Sequence, residues 1–218
     1  MRSVMHNTAR TITHAPLCAL LVAGLAVPLP AGDGWTLERS SGDIRIFTRS
    51  APGLRLKEFR GECVIPAPLE AVRSVMLDHD RYGLWFAMTR RITLLREESP
   101  SRFTVNYIVA SPWPVADRET DVSIALRFDE KAGTGSVELD AVRSNDPTGR
   151  NGLVRITDMR GRFTFTRVDS GRTAAVLVMR VDPRINMSAK IQNDFLLRYP
   201  LDTLNALRRM AAHGRPAR

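Results

Sequence analysis

The sequence predicts an α+β domain in which a curved antiparallel β-sheet wraps around one long C-terminal α-helix. Two observations predict this class: residues 91–182 contain a series of strand-like segments joined by short turns, and residues 186–212 then change to a helical period. Short connections favour antiparallel pairing, because parallel strands need longer crossovers. A sheet with one face to cover and a helix with an apolar stripe can bury each other.

The elements follow in a simple order. Residues 35–40 start the domain, residues 43–49 alternate apolar and polar side chains, and residues 56–65 predict a further strand. A first amphipathic helix is predicted over residues 68–77, where Pro68 suits a helix start. The later strands are predicted at residues 91–96, 102–109, 118–128, 135–142, 153–166 and 172–182.

The closing helix is predicted from side chains that recur about four residues apart. Met187, Ile191 and Phe195 begin this pattern, and leucines continue it to residue 207. Pro200 lies within the pattern and predicts a kink, since proline removes one backbone hydrogen bond.

The N-terminus has the pattern of a secretory signal peptide. Arg2 and Arg10 precede an uncharged apolar run over residues 17–29, which is short for a bilayer span of about 20 residues. We therefore expect a signal peptide over residues 1–31, cleavage near Ala31 and an exported, periplasmic domain over residues 32–218. A retained membrane anchor is the alternative.

Composition and charge fit such a protein. The 218 residues carry a net charge of +9, with only three lysines among the 32 basic residues. A basic surplus suits nucleic acid or an anionic membrane surface, and export favours transient contact with a membrane and no nucleic acid. Removal of the signal peptide leaves Cys63 as the single cysteine. We predict that its side chain is a small buried hydrophobic group.

A chain of motifs resembles a known family. The opening Trp35 with GDIRIFTR, APLEAVRSVMLDHDRYGLW, WPVADRE, GLVRITDMRGRFTF, and the ending from Asp182-Pro183 through YPLDTLNALR occur in the family's order. Over residues 34–210 the sequence is similar to START (StAR-related lipid transfer) domains of the exported bacterial type, within the Bet v 1-like SRPBCC group. The resemblance implies a helix-grip fold whose interior cavity holds a lipid or another hydrophobic ligand, for lipid transfer or sensing in the cell envelope.

Candidate ligand-binding residues come from the apolar faces of the predicted strands and the closing helix. Residues of one parity share a face of a strand, and ordinary core packing is the alternative role for each apolar one. The candidates are Val105, Tyr107, Trp113, Arg118, Val122, Ile124, Met159, Phe163, Phe195 and Leu196.

Two of these candidates have specific alternatives. Arg118 shares the parity of the apolar face of its strand, where a charge needs a partner or water. It contacts the headgroup of a ligand, forms an ion pair with a neighbouring acid, or lies near a strand end where it can reach water. Trp113 lies between two prolines and either flanks the cavity mouth or staples its loop.

No catalytic or cofactor motif is found in the mature sequence, so we expect a non-enzyme without cofactor or metal. Adjacent Asp78, His79 and Asp80 are better explained as a solvated helix end than as a metal site. The alternatives are a polyketide cyclase or aromatase, for which Arg118, Tyr107, Asn106 and Arg155 are the polar candidates, and a ligand-free envelope interaction protein. We expect a monomer.

Overall fold

The architecture is given by a computed structural model, which describes residues 34–53, 56–111, 113, 115–143, 148–184 and 189–213. The predicted signal peptide lies outside these residues. Among the described residues, no helix is both long enough and apolar enough to cross a bilayer.

The described strands form one large sheet. Their bounds are β1 Thr36–Ser41, β2 Ile44–Arg49, β3 Glu58–Ile65, β4 Thr89–Ser99, β5 Arg102–Val109, β6 Arg118–Asp129, β7 Thr134–Ala141, β8 Val154–Arg155, β9 Met159–Asp169 and β10 Arg172–Val181. The sheet order is β1-β2-β3-β10-β9-β7-β6-β5-β4, with β8 beside β6. Strands β4 to β7, β9 and β10 are sequential antiparallel neighbours, which confirms the predicted meander.

The prediction of one continuous strand over residues 153–166 is wrong. Residues 156–158 separate the two-residue strand β8 from β9. The physical reason is that the two parts have different partners: β8 pairs in parallel with Arg118 and Glu119 at the start of β6, whereas β9 pairs with β7 and β10. Strand β7 pairs with β6 from Val122 onward, so β8 takes the position beside β6 that β7 leaves free.

Two α-helices complete the domain. Helix α1 spans Leu69–Leu77 and begins after Pro68, whose backbone is extended, so the predicted start is one residue early. Helix α2 spans Ala189–His213 and contains Pro200 in its interior. A 3-10 helix, His79–Leu84, links α1 to Trp85 and to strand β4.

Helix α2 lies against β2, β3 and α1. Its half after Pro200 is anchored by fully buried Leu204 and Leu207, and the buried Thr203 hydroxyl accepts a hydrogen bond from the Ala87 backbone N–H. Gly61 of β3 permits this approach, since a Cβ there would lie 2.7 Å from Leu204 Cδ1. The core therefore lies between one face of the sheet and the two helices.

The two outermost strands of the described sheet are irregular and charged. Strand β1 has a register shift between Leu37 and Arg39, and β4 has three such shifts against β5. All of β1 and most of β4 is exposed. Irregular, charged edges hinder pairing with further strands.

Cys63 of β3 is buried and free, which confirms its prediction as a small core residue. Burial raises the pKa of its thiol to about 12. A thiol with so high a pKa is protonated at neutral pH and is a poor nucleophile.

Candidate functional site

A small void lies inside the domain, between the concave side of the sheet and α2. Its volume is about 20 Å³, which accommodates about one water molecule. The lining side chains are apolar or aromatic: Tyr82, Phe86, Ile92, Val105, Tyr107, Val122, Ile124, Leu139, Met159, Met179 and Tyr199. Tyr199 is the contribution of α2 and comes from the half of the helix before Pro200.

The polar atoms of the lining belong to tyrosines. The Tyr107 hydroxyl donates a hydrogen bond to the Ala87 carbonyl at 2.9 Å and accepts one from the Thr89 hydroxyl at 3.4 Å. Burial raises the pKa of both Tyr107 and Tyr199, so both phenols are neutral. Among the described residues no charged side chain lines the void, and its chemistry therefore suits an apolar occupant.

The structure brings together five of the residues proposed from sequence. Val105 and Tyr107 of β5, Val122 and Ile124 of β6, and Met159 of β9 all line the void. They meet because β5 and β6 pair with Val105 opposite Val122, which places residues of one parity on the same face.

The other apolar candidates do not line the void. Phe163 is fully buried and packs against Trp85, with 6.0 Å between ring centroids. Leu196 is buried in the core. Phe195 stacks on Tyr199 at 5.3 Å and so supports a lining residue from behind. Trp113 is 93% exposed, so in this structure it neither lines the void nor packs as a staple for its loop.

Sequence reasoning missed six lining residues. Leu139 and Met179 lie on the buried face of alternating strands, so parity alone could have identified them. Tyr82 and Phe86 lie in the segment after α1, where no sequence period predicts the direction of a side chain. The positions of Ile92 and Tyr199 depend on how β4 and α2 pack against the sheet.

Arg118 lies beyond the void on the same face of β6. It is 6% exposed and donates hydrogen bonds to the Ala116 carbonyl, the Ser111 hydroxyl at 3.4 Å and the Pro183 carbonyl at 3.5 Å. The ion-pair alternative is not found, because no carboxylate of a described residue lies within 4.0 Å of its guanidinium. Arg118 is the first residue of β6, which agrees with the alternative of a position near a strand end. Instead the neighbouring Asp117 carboxylate binds Arg90 at 2.9 Å. Burial lowers the pKa of Arg118, and the charge of Asp117 opposes this shift.

An ionic cluster occupies the opposite face of β6. The Glu119 carboxylate, 1% exposed, accepts hydrogen bonds from Arg155 Nη2 and the Arg150 backbone N–H, each at 2.8 Å. Asp121 accepts hydrogen bonds from Asn106 at 2.8 Å and Arg150 at 3.0 Å. Burial alone would raise the pKa of Asp121, but these hydrogen bonds and the arginine charges hold it below its ordinary value.

This cluster fixes residues 148–155 against the sheet. Asn106 and Arg155 are therefore committed to structural contacts on the face away from the void. Of the four polar residues that the sequence offers as candidates for cyclase chemistry, the structure leaves Tyr107 in the lining and Arg118 at the end of the interior.

A second concavity lies between α1 and the end of α2. Its volume is about 560 Å³ and it is open to solvent. Arg81, one of its charged residues, lies 3.8 Å from Asp78, so their charges compensate each other. Several residues that line this groove are exposed, whereas those that line the interior void are almost all buried, so the interior void is the better candidate site.

The curved sheet, the long closing helix and the apolar interior form a helix-grip fold. No protein-family profile matches the chain. An uncharacterized protein of Pseudomonas aeruginosa is 26% identical over 207 residues, which are 93% of this chain and 98% of that protein.

Solved structures confirm the resemblance to START domains. A STAR-related lipid transfer protein from Xanthomonas axonopodis is 26% identical, with a TM-score of 0.72 over 83% of this chain and all of that chain. Human StAR-related lipid transfer protein 5 has a TM-score of 0.71 at 14% identity, over 83% of this chain and 88% of that one, and shows the fold alone.

Proposed function

We propose that the protein binds a lipid or another hydrophobic ligand between the sheet and α2, for lipid transfer or sensing in the cell envelope. The observation that carries the proposal is the apolar and partly aromatic lining of the interior in a START-like fold, where the void itself has room for about one water molecule. The similarity to a bacterial protein described as a lipid transfer protein supports it.

Ligand entry requires the interior to expand, since a void of about 20 Å³ is too small for an acyl chain. Pro200 divides α2 at a suitable point: the half after it is anchored by Leu204 and Leu207, whereas the half before it contributes Tyr199 to the void. Proline supplies no N–H for the helical hydrogen bond at its position. Movement of the first half of α2 would therefore enlarge the interior while the rest of the helix stays in place.

The favourable free energy that accompanies such an opening comes from desolvation of the ligand. Each buried methylene contributes about 0.8 kcal/mol, so a 16-carbon chain gains on the order of 10 kcal/mol when it is enclosed. The same chain is already desolvated in a bilayer, so enclosure in the protein replaces the interaction that the chain loses when it leaves the membrane.

Filling the void from the sheet side is expected to abolish ligand binding. Gly161 of β9 faces Met179 and Leu139, and a Cβ there would lie 2.9 Å from Met179 Cε and 3.1 Å from Leu139 Cδ1. In Gly161→Val the added carbons displace the Met179 and Leu139 side chains, which both line the void, and so reduce the space inside. We expect at least a tenfold loss of co-purified lipid, measured by native mass spectrometry of protein purified from its own host.

The matched control is Thr164→Val, which places the same side chain on the same strand but on the exposed face. It should keep the lipid content of the wild type. Equal lipid content in wild type and Gly161→Val would contradict a ligand site in this interior, and a wild-type protein without any lipid would favour a ligand-free interaction protein.

We further propose that the mature protein is periplasmic and contacts anionic membranes through the loop that carries Trp113. Tryptophan partitions to membrane interfaces, and this one is 93% exposed. Residues 32–218 keep a net charge of +7, since Arg2 and Arg10 account for two of the nine net positive charges of the full sequence, and this charge favours approach to an anionic surface.

Trp113→Ala is expected to weaken binding to phosphatidylglycerol-containing vesicles by about three- to tenfold, because it removes the exposed indole. Vesicle co-sedimentation measures the effect. Leu37→Ala is the control, since Leu37 is 52% exposed on the edge strand β1. If both variants bind vesicles like the wild type, the contact lies elsewhere or does not occur.

A further inference from the structure

Arg118 is held where two connections of the fold meet. Its hydrogen-bond acceptors come from the β5–β6 connection, through Ser111 and Ala116, and from the connection between β10 and α2, through Pro183. It shares the face of β6 with Val122, which lines the void. Interior positions on a strand are about 6.6 Å apart, so Arg118 lies at the end of the interior, two such steps from Val122.

The charge of Arg118 is buried without a counter-ion among the described residues. Its partners are two carbonyl oxygens and a hydroxyl, and two of the three contacts are long, at 3.4 and 3.5 Å. The nearest acid, Asp117, already accepts hydrogen bonds from Arg90 and from the Ser111 backbone N–H, each at 2.9 Å. Buried charges in proteins are normally paired, because an isolated one is costly.

The guanidinium also retains donor capacity. Nε and Nη1 make the contacts described above, whereas Nη2 has no hydrogen bond to a described residue and is not sealed from solvent. A planar guanidinium with free N–H groups is suited to carboxylate and phosphate oxygens, and such charge-assisted bonds are strong.

We propose that Arg118 binds the anionic headgroup, a carboxylate or a phosphate, of an amphiphile whose tail lies in the interior. The inference rests on the proposed function and adds the chemical class of the ligand. The tail would extend from Arg118 past Thr120 and Val122 along the apolar face of β6. An uncharged lipid would leave the guanidinium without its counter-ion and would bind more weakly.

The test compares two probes that differ only at the headgroup. Dodecanoate and dodecan-1-ol carry the same 12-carbon chain, and isothermal titration calorimetry with the full chain at about 0.15 M salt limits non-specific attraction of anions. We expect wild-type protein to bind dodecanoate about 10- to 100-fold more tightly than the alcohol. Arg118→Gln should remove this preference and leave the affinity for the alcohol unchanged, which also shows that the variant is folded.

Two further variants separate charge, geometry and background. Arg118→Lys keeps the charge without the guanidinium and should retain part of the preference. Arg160→Gln removes an exposed arginine on the outer face of β9 and should retain all of it.

Three outcomes would overturn the inference. Binding of both probes with the same preference in wild type and Arg118→Gln would exclude this headgroup site but preserve the proposed function. Binding of neither probe would overturn both. Arg118-dependent binding of inorganic phosphate as tight as that of dodecanoate would assign Arg118 to a free anion instead of a lipid headgroup.

Discussion

Replacing Glu119 with alanine is expected to lower the free energy of unfolding by about 3 kcal/mol, as for other buried ion pairs that lose one partner. The Glu119 carboxylate is almost fully buried and binds Arg155 Nη2 and the Arg150 backbone N–H at 2.8 Å each. Without it, the buried Arg155 guanidinium keeps Asp121 at 3.4 Å as its carboxylate partner. Urea-induced unfolding followed by circular dichroism measures the loss.

Glu138→Ala provides the matched comparison for this prediction. Glu138 lies on the neighbouring strand β7 and pairs with Arg162, whose side chain is largely exposed. Exposed pairs contribute about 0–1 kcal/mol, so this variant should stay close to the wild type. Equal losses in the two variants would mean that the cluster around Glu119 has no special structural role.

Gly61→Leu is expected to destabilise the protein by about 3 kcal/mol, at the upper end of the range for overpacked cores. A Cβ at this position would lie 2.7 Å from Leu204 Cδ1 and 3.3 Å from Pro200 Cβ, and a leucine adds three more carbons to the same gap. Helix α2 must then move away from β3. The melting temperature and the urea midpoint report the change.

Two variants test whether the clash itself is the cause. Gly83→Leu places the same side chain at an exposed glycine, where the nearest heavy atom to a Cβ is Thr89 Cγ2 at 3.8 Å, and it should have little effect. Leu204→Ala, combined with Gly61→Leu, moves the leucine side chain across the interface and should recover part of the loss. A double variant whose stability loss exceeds the sum of the losses of the two single variants would contradict this contact.

Much of the fold could be predicted because its signals are local. Alternation along β5, β6 and β10 identifies their buried faces, and the four-residue recurrence identifies α2. The break between β8 and β9 could not be predicted in this way. It depends on pairing of Val154 with Arg118, which is 36 residues earlier in the chain.

The candidate site was less predictable, because it too depends on contacts between residues that are far apart in the sequence. Parity placed Val122 and Ile124 on the correct face but could not show whether Phe163 lines a void or packs against Trp85. The acid next to Arg118 in sequence suggested an ion pair, yet Asp117 turns to Arg90 in three dimensions. The size of the void depends on how closely α2 approaches the sheet, which no local pattern records.

The shifted, charged outer strands also bear on how the chain avoids aggregation while it folds. A sheet of this kind must assemble long-range strand pairs, during which exposed backbone can nucleate cross-β aggregates. Strand β4 places Arg96, Glu97 and Glu98 beside one of its register irregularities, and β1 places Glu38 and Arg39 at its own. Such gatekeeper charges disfavour stacking of one nascent chain on another. Both edge strands therefore hinder edge-to-edge strand pairing between two copies of the chain, during folding as well as after it.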